Sequence, residues 1–315
     1  MSLLGTVGGA VAPVVAVAAV GFLLGRFKGV DPDPLNTVTV YVLAPALVFH
    51  TLATTAIPSG TIIGIVLGLL VLNAVLVLIA ESGGRLRNPP DTLVSALVLV
   101  TAFPNVGNYG IPLAEFAFGE TGRSVAVLAT VVQGILLYTV GIFIAARGTG
   151  GNWRADLRRV FELPLVYAVV AALATRWLGL VPPASSTILE TVELVGLSSI
   201  PVMLLVLGLQ LTNVSIDGTL GQVGVASGMK LILAPILGSA IALVIGFQDP
   251  TVARTFVVLS AAPAAVTGII LVGAFGQDGD GRAEEFVSAT VLVTTVGSLV
   301  TATVLVAVLE SRLLF

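Results

Sequence analysis

The polar residues best placed to bind a ligand lie inside an apolar run, "AFPNVGNYGIPLAEFAFG" at residues 102–119. Pro104 lacks a backbone N–H and its ring displaces the carbonyl four residues earlier, while two nearby glycines permit backbone angles that a helix interior disfavours. The pattern predicts a helix that breaks and restarts, with Asn108 as its N-cap and Pro112 in its first turn. Free N–H groups at the restart would favour an anion such as a carboxylate.

A second interruption occurs late in the chain, in "LSAAPAAVTGIILVGAFG" at residues 259–276. A single proline kink often only shapes helix packing, which is the alternative at either position. Two breaks at matching positions expose backbone groups that a bilayer tolerates only where they are buried or line a wet cavity. We therefore expect the two segments to cross and to form a substrate site, with a polar wall from the first segment and a mainly apolar wall from the second. The predicted site residues are Pro104, Asn105, Asn108, Tyr109, Pro263, Ala264 and Thr267.

Three further polar residues are candidates for the same site. Lys230 lies deep within a predicted helix, and buried ionisable groups in membranes are functional candidates unless they snorkel to the interface. The internal repeat described below relates Lys230 to Asn73. Gln133 lies on the helix after the first break and is a candidate ligand, whereas the nearby hydroxyls are expected to join helices. Glu115 is expected at the outer mouth, in contact with water.

The composition predicts an all-α polytopic membrane protein. Of the 315 residues 57% are hydrophobic and 10% are charged, and the mean hydropathy is +1.10. Apolar stretches of about 20 residues recur along the chain, which is the length of a transmembrane helix. We predict ten spans, at residues 10–27, 37–55, 60–80, 92–118, 122–146, 157–178, 187–211, 220–246, 251–275 and 286–309.

The sequence offers little for catalysis or for cofactor chemistry. Cysteine is absent and a single histidine is present. No metal-ligand spacing, phosphate-binding loop or serine–histidine–aspartate arrangement is found. We therefore expect no cofactor, no metal and no nucleic-acid partner, and an intramembrane enzyme ranks below a transporter or a sensor.

The distribution of basic residues predicts the orientation. Nine basic residues fall in loops on one side of the predicted membrane spans and four in loops on the other side. The side richer in basic residues should therefore be cytoplasmic. The prediction is a multi-pass cell-membrane protein with both termini extracellular. The richer side holds Arg26, Lys28, Arg85, Arg87, Arg147, Arg154, Arg158, Arg159 and Arg282, and the poorer side holds Arg123, Arg176, Arg254 and Arg312.

Landmark residues recur between the two halves of the chain in the same order. Pro13, Pro45 and Pro104 match Pro164, Pro201 and Pro263 at offsets of 151, 156 and 159. We predict two five-helix repeats, at residues 1–150 and 151–315. Because five is an odd number of spans, the second repeat enters the bilayer from the opposite side, and inverted repeats are typical of secondary transporters.

These strings resemble the auxin efflux carrier family, which includes plant PIN proteins and their shorter prokaryotic relatives. The likeness rests on "FPNVGNYGIPL", "AAPAAV", "VLAPALVFHTLA", "IPVMLLVLGLQL" and "KLILAPIL". The resemblance implies a fold like that of bile acid sodium symporters, with crossed helices at the prolines. It also implies elevator-type alternating access, in which a transport bundle of spans 3–5 and 8–10 moves against a scaffold of spans 1, 2, 6 and 7.

The predicted function is a secondary transporter or uniporter for a small organic anion, an auxin-like or malate-like carboxylate, in the lipid bilayer. The plant family's Asn-Pro order appears here as Pro104 followed by Asn105, and the long central loop of plant members is missing. A non-transporting membrane ligand sensor is the alternative, although such a protein would be expected to carry a signalling domain. A homodimer is one assembly that the sequence leaves open.

Overall fold

The computed structural model describes residues 3–55, 57–86, 89–146, 164–213, 220–275 and 281–311. Within these residues every regular element is a helix. We number them α1 Leu3–Lys28, α2 Pro32–Thr54, α3 Ser59–Arg85, α4 Asp91–Ala102, α5 106–118, α6 120–145, α7 Pro164–Trp177, α8 Thr187–Gln210, α9 Gly221–Ile245, α10 Pro250–Ser260, α11 Thr267–Phe275 and α12 Arg282–Glu310.

Length and composition identify a multi-pass membrane protein. Seven helical stretches in the described residues are long and apolar enough to cross a bilayer, and α4 and α7 are shorter apolar helices. Large apolar side chains cover the outer faces of the long helices, where lipid replaces water as the surrounding solvent. Among the most exposed are Leu67, Leu78, Leu194, Val244 and Val300.

Two breaks and one sharp turn interrupt the helices. The chain leaves the helical path between α4 and α5, at Pro104, and between α10 and α11, at Pro263. Between α5 and α6 the reversal takes a single residue, Gly119, at φ +64° and ψ −150°. An L side chain rarely adopts this φ, so the glycine permits two consecutive membrane helices without a loop.

A wide π turn precedes each of three prolines that lie inside helices. These turns are Thr39–Leu43, Val106–Gly110 and Met229–Leu233, and the prolines follow two residues after each turn, at Pro45 and Pro112 and at Pro235. Because proline cannot donate to the carbonyl four residues earlier, the wider turn accommodates its ring without ending the helix.

Helix contacts define two groups, which meet where α1 packs on α12. In the first group α1 packs along α8, while α2 packs on α7 and α8. In the second group α3 packs on α4 and α9, and α12 packs on α4 and α9. Glycines allow the backbones of α1 and α8 to touch, since a Cβ at Gly21 or Gly208 would collide with the main chain of the other helix.

Several sequence predictions fall on segments that the structure leaves undescribed. Residues 157–163 of the predicted sixth span and the repeat boundary at residues 150 and 151 lie outside the described residues. The same holds for six of the basic residues that set the predicted orientation, namely Arg87, Arg147, Arg154, Arg158, Arg159 and Arg312. Where the ends can be compared, α1 and α2 begin earlier than predicted, at Leu3 and Pro32.

Candidate functional site

Main-chain hydrogen bonds join the two helix breaks to each other. The Asn105 N–H donates to the Pro263 carbonyl at 2.7 Å, and the Ala265 N–H donates to the Phe103 carbonyl at 3.0 Å. Pro104 and Ala264 thereby form a short antiparallel bridge. Buried peptide groups that lose their helical partners therefore find partners across the gap, which removes a cost of several kcal/mol for each group in an apolar interior.

Side chains from other helices satisfy two more of these backbone groups. The Ala264 N–H donates to the Thr294 hydroxyl at 3.1 Å. In an unbroken helix the Asn105 N–H would reach the Thr101 carbonyl, but here it turns to Pro263. The Lys230 Nζ donates to the Thr101 carbonyl instead, at 3.4 Å, and this lysine is 0% exposed.

Asn105, and not Asn108, caps the restarted helix, so the predicted cap was wrong. The Asn105 Oδ1 accepts a hydrogen bond from the Asn108 backbone N–H at 3.2 Å. Asparagine is a good N-cap at either position. The bond from Asn105 to Pro263 holds residue 105 outside the helix, which starts at Val106 and places Pro112 beyond the first turn.

A cavity of about 270 Å³ lies beside the joined breaks. Five of the predicted site residues line it: Pro104, Asn105, Asn108, Gln133 and Thr267. Its other polar side chains are Asn36, Thr39, Thr130, Tyr138 and Gln210. Among the described residues that line the cavity, none carries a charged side chain.

The N-terminal ends of two helices face this cavity. Residues 105–108 at the start of α5 and residues 265–267 at the start of α11 are among its lining residues. Each helix N-terminus carries roughly half a positive charge from its aligned peptide dipoles. The described wall therefore offers an anion two positive helix ends without a lysine or arginine, beside the carbonyl end of α4 at Phe103.

Two amide side chains at the cavity have buried atoms without partners. Gln133 is 5% exposed, and neither its Oε1 nor its Nε2 has a hydrogen-bond partner among the described residues. The Oε1 of Gln210, at the end of α8, is likewise unpaired within the described part of the chain. Buried polar groups in proteins are almost always paired, so these amides are available to a ligand or to water in the cavity.

The other predicted site residues do not line this cavity. Ala264 forms the bridge with Pro104, and the Pro263 carbonyl accepts the hydrogen bond from the Asn105 N–H. The Tyr109 hydroxyl turns away to donate to the Ser298 carbonyl at 3.3 Å, and Tyr109 lines a separate, mainly apolar cavity of about 570 Å³. The Asn73 amide donates to the Leu69 carbonyl in its own helix, at 2.8 Å, and its Oδ1 is buried and unpaired.

Polar contacts tie the helices together at the end opposite the cavity opening. The cavity extends from the breaks toward the start of α2 and the end of α8. At the other end, Arg176 donates to the Thr55 carbonyl at 2.7 Å, and the Ser124 hydroxyl lies 3.4 Å from the Thr55 hydroxyl. Glu115 pairs with the buried Arg123 at 3.2 Å, so it is less freely solvated than its position predicted.

Sequence reasoning assigned Tyr138 and other hydroxyls of this region to contacts between helices. Thr130, Gln133, Leu137 and Tyr138 instead line the cavity together. Steps of three and four residues from Thr130 to Gln133 and Leu137 place these three on one face of α6, which Tyr138 adjoins. That spacing was the available signal, because Gln133 already marked the face that turns toward the break. Asn36 gave no comparable signal, because it precedes the predicted second span at residues 37–55.

Comparison with known proteins identifies the family. A family described as "Membrane transport protein" matches residues 6–155 and 152–306 of this chain. The chain belongs to this family, the auxin efflux carriers. It is therefore a membrane transporter and not an enzyme.

Named relatives extend over nearly the whole chain. A protein of Rhizobium meliloti (strain 1021) named "Putative malonate transporter" is 26% identical over 313 residues, covering 96% of each chain. A protein of Methanothermobacter thermautotrophicus named "Uncharacterized transporter" is 24% identical over 291 residues, covering 91% of this chain and 93% of its own. A further uncharacterized transporter, from Methanocaldococcus jannaschii, is 20% identical over 293 residues, with the same coverage.

The two asparagines of the first break are predicted to differ in their effect on stability. Asn105→Ala removes the N-cap and should lower the free energy of unfolding by about 1 kcal/mol. Asn108→Ala should leave the thermal stability of the ligand-free protein almost unchanged, because the Asn108 side chain makes no hydrogen bond to the described residues. Thermal unfolding of both purified variants in detergent measures this difference. Equal losses of stability would contradict the assigned cap.

Replacing Lys230 should impair transport without unfolding the protein. Lys230→Met keeps most of the side-chain volume but leaves the Thr101 carbonyl without its donor, so the break loses a contact that holds its geometry. We expect a loss of uptake of at least about tenfold in a monodisperse, membrane-inserted protein. Lys28→Met, at the exposed end of α1, is the matched control. Normal uptake by a folded Lys230→Met variant would show that this lysine contributes only to packing.

Proposed function

We propose that the protein is a secondary transporter or uniporter for a small organic anion and that the cavity beside Pro104 and Pro263 binds this anion. The observation that carries the proposal is a cavity whose described lining holds no charged side chain, two helix N-termini and amides without partners in that part of the chain. A fixed cation would hold an anion tightly, whereas helix ends and amides attract it and still allow release. This balance suits a carrier, which must bind and release its substrate in every cycle.

The size of the cavity favours a small substrate. Sites for drug-sized ligands usually enclose about 300–1,000 Å³, and this cavity is smaller, at about 270 Å³. The relative named "Putative malonate transporter" supports a short-chain carboxylate. Malonate-like and malate-like carboxylates are therefore the first substrates to test, and auxin-like indole carboxylates are the second.

We propose alternating access because the two ends of the helix bundle differ. The cavity extends toward the end where the predicted topology places the cytoplasm, while contacts of Thr55 with Arg176 and Ser124 link helices at the other end. We infer an inward-facing state. The predicted ten-helix inverted repeat supplies the second state, because each half can adopt the packing that the other half now has.

An elevator movement would shift one helix group against the other. The packing of α1 on α8, and of α2 on α7 and α8, supports the role of these four helices as the scaffold. The group of α3, α4, α9 and α12 contacts both breaks, through Lys230 at the Thr101 carbonyl and Thr294 at the Ala264 N–H. In an elevator movement this group would carry the site as the transport bundle. Asn36 and Gln210 would then belong to the fixed wall, while Asn105, Gln133 and Thr267 would move.

No coupling ion is required for export of an anion. A membrane potential that is negative inside favours its exit by about 2.3 kcal/mol per charge per 100 mV. A non-transporting sensor would bind the same ligand in the same cavity without moving it. The two functions are therefore distinguished only by flux.

Counterflow in proteoliposomes tests the proposal. Vesicles that contain the purified protein are preloaded with unlabelled malonate, malate or indole-3-acetate, and the uptake of a labelled trace is followed with and without sodium and pH gradients. We expect at least one short-chain carboxylate to accumulate transiently, and Asn108→Ala to reduce its initial rate about tenfold. Ligand-induced thermal stabilisation without flux of any of these anions would contradict transport and favour the sensor.

A further inference from the structure

Gln133 presents a buried, unpaired amide to the proposed substrate. Its side chain lines the cavity, is 5% exposed, and has both Oε1 and Nε2 without partners among the described residues. Whichever way the amide is turned, it offers one acceptor and one donor. Leaving either group unpaired costs about 1–3 kcal/mol, so the fitting ligand group both donates and accepts.

We propose that the transported species is a singly charged acid that carries, besides its carboxylate, a second group able to donate and accept hydrogen bonds with Gln133. The protonated carboxyl of a hydrogen dicarboxylate, such as hydrogen malonate, is this kind of group. The inference rests on the proposed transport function and specifies the protonation state of its substrate.

The charge of the site supports one negative charge and opposes two. The starts of α5 and α11 each supply roughly half a positive charge, and the carbonyl ends of α4 and α10 at the same breaks reduce that field. No charged side chain lies among the described cavity-lining residues that could balance a second carboxylate. An ionised carboxylate also only accepts hydrogen bonds, so it would pair with the Gln133 Nε2 and leave Oε1 facing a negative charge.

The same geometry makes the substrate a proton carrier. Each hydrogen dicarboxylate that crosses the membrane moves one dissociable proton together with one net negative charge. Transport should fall as the pH rises through the second pKa of the substrate, because the singly charged species disappears. The only titratable side chain among the described lining residues is the Tyr138 phenol, and phenols ionise near pH 10. Lys230 lies at the Thr101 carbonyl and not on the cavity wall, so a change in its charge would alter the rates of all substrates alike. A pH dependence that malonate shows and a substrate without a second ionisable group does not show is therefore assigned to the substrate.

Two neutral analogues of the second carboxyl group separate this proposal from transport of a dianion. Malonamate carries one carboxylate and an amide that donates and accepts, whereas monomethyl malonate carries one carboxylate and an ester that only accepts. Initial rates of labelled malonate, malonamate and monomethyl malonate are measured in proteoliposomes at external pH 5 to 8. The wild-type protein and Gln133→Leu are compared, and a thermal unfolding curve of each confirms folding.

We expect the wild-type protein to carry malonamate about tenfold faster than monomethyl malonate, independently of pH, and to carry malonate at a rate that follows its singly charged fraction. In Gln133→Leu the two analogues should differ by less than about twofold. Malonate uptake that stays constant or rises with pH, together with equal rates for both analogues in the wild-type protein, would overturn the proposal while leaving transport itself intact. If Gln133→Leu does not fold, the wild-type rates alone decide. Failure of all three compounds to cross would overturn short-chain carboxylate transport as well.

Discussion

The site depends on the pairing of two interrupted helices through their main chains. A helix broken inside a membrane has peptide groups that water cannot reach, and the penalty of several kcal/mol for each forbids a lone break that faces lipid. Here the Asn105 N–H and the Pro263 carbonyl satisfy each other, as do the Ala265 N–H and the Phe103 carbonyl. Neither break is satisfied in this way without the other, so the two halves of the chain must meet at this point.

This pairing also creates the chemistry of the cavity. Because residues 103–105 and 261–266 leave the helical path, α5 and α11 begin inside the protein and direct their positive ends at one volume. The supporting contacts come from polar side chains on other helices. Thr294 holds the Ala264 N–H, and Lys230 holds the Thr101 carbonyl that the break leaves without its helical donor. Lys230 thus stabilises the first break through this hydrogen bond and does not line the cavity.

Features of the site that depend on one helix alone could be predicted from sequence, whereas features that depend on contacts between distant segments could not. Pro104 and Pro263 predict the breaks because a missing N–H acts on its own helix. Gln133 could be singled out because an amide in an apolar helix needs a partner. The choice between Asn105 and Asn108 as the cap was not available, since a contact with Pro263 on a distant segment decides where the helix restarts. The same limit applies to Tyr109, whose hydroxyl contacts Ser298, and to Glu115, which pairs with Arg123. The family resemblance is confirmed, while the ten-helix inverted repeat remains a prediction.

The most direct measurement uses the absence of cysteine from the chain. Single replacements Gly107→Cys and Val266→Cys place one thiol on each side of the joined breaks without removing a polar side chain, and Ser185→Cys, in the exposed loop between α7 and α8, is the control. The reaction of each thiol with a water-soluble maleimide is followed with and without a transported carboxylate. If the two breaks form one binding cavity, the carboxylate slows labelling at both positions 107 and 266 and leaves position 185 unchanged. Protection at only one of the two positions, or at neither, would contradict a site shared between the breaks.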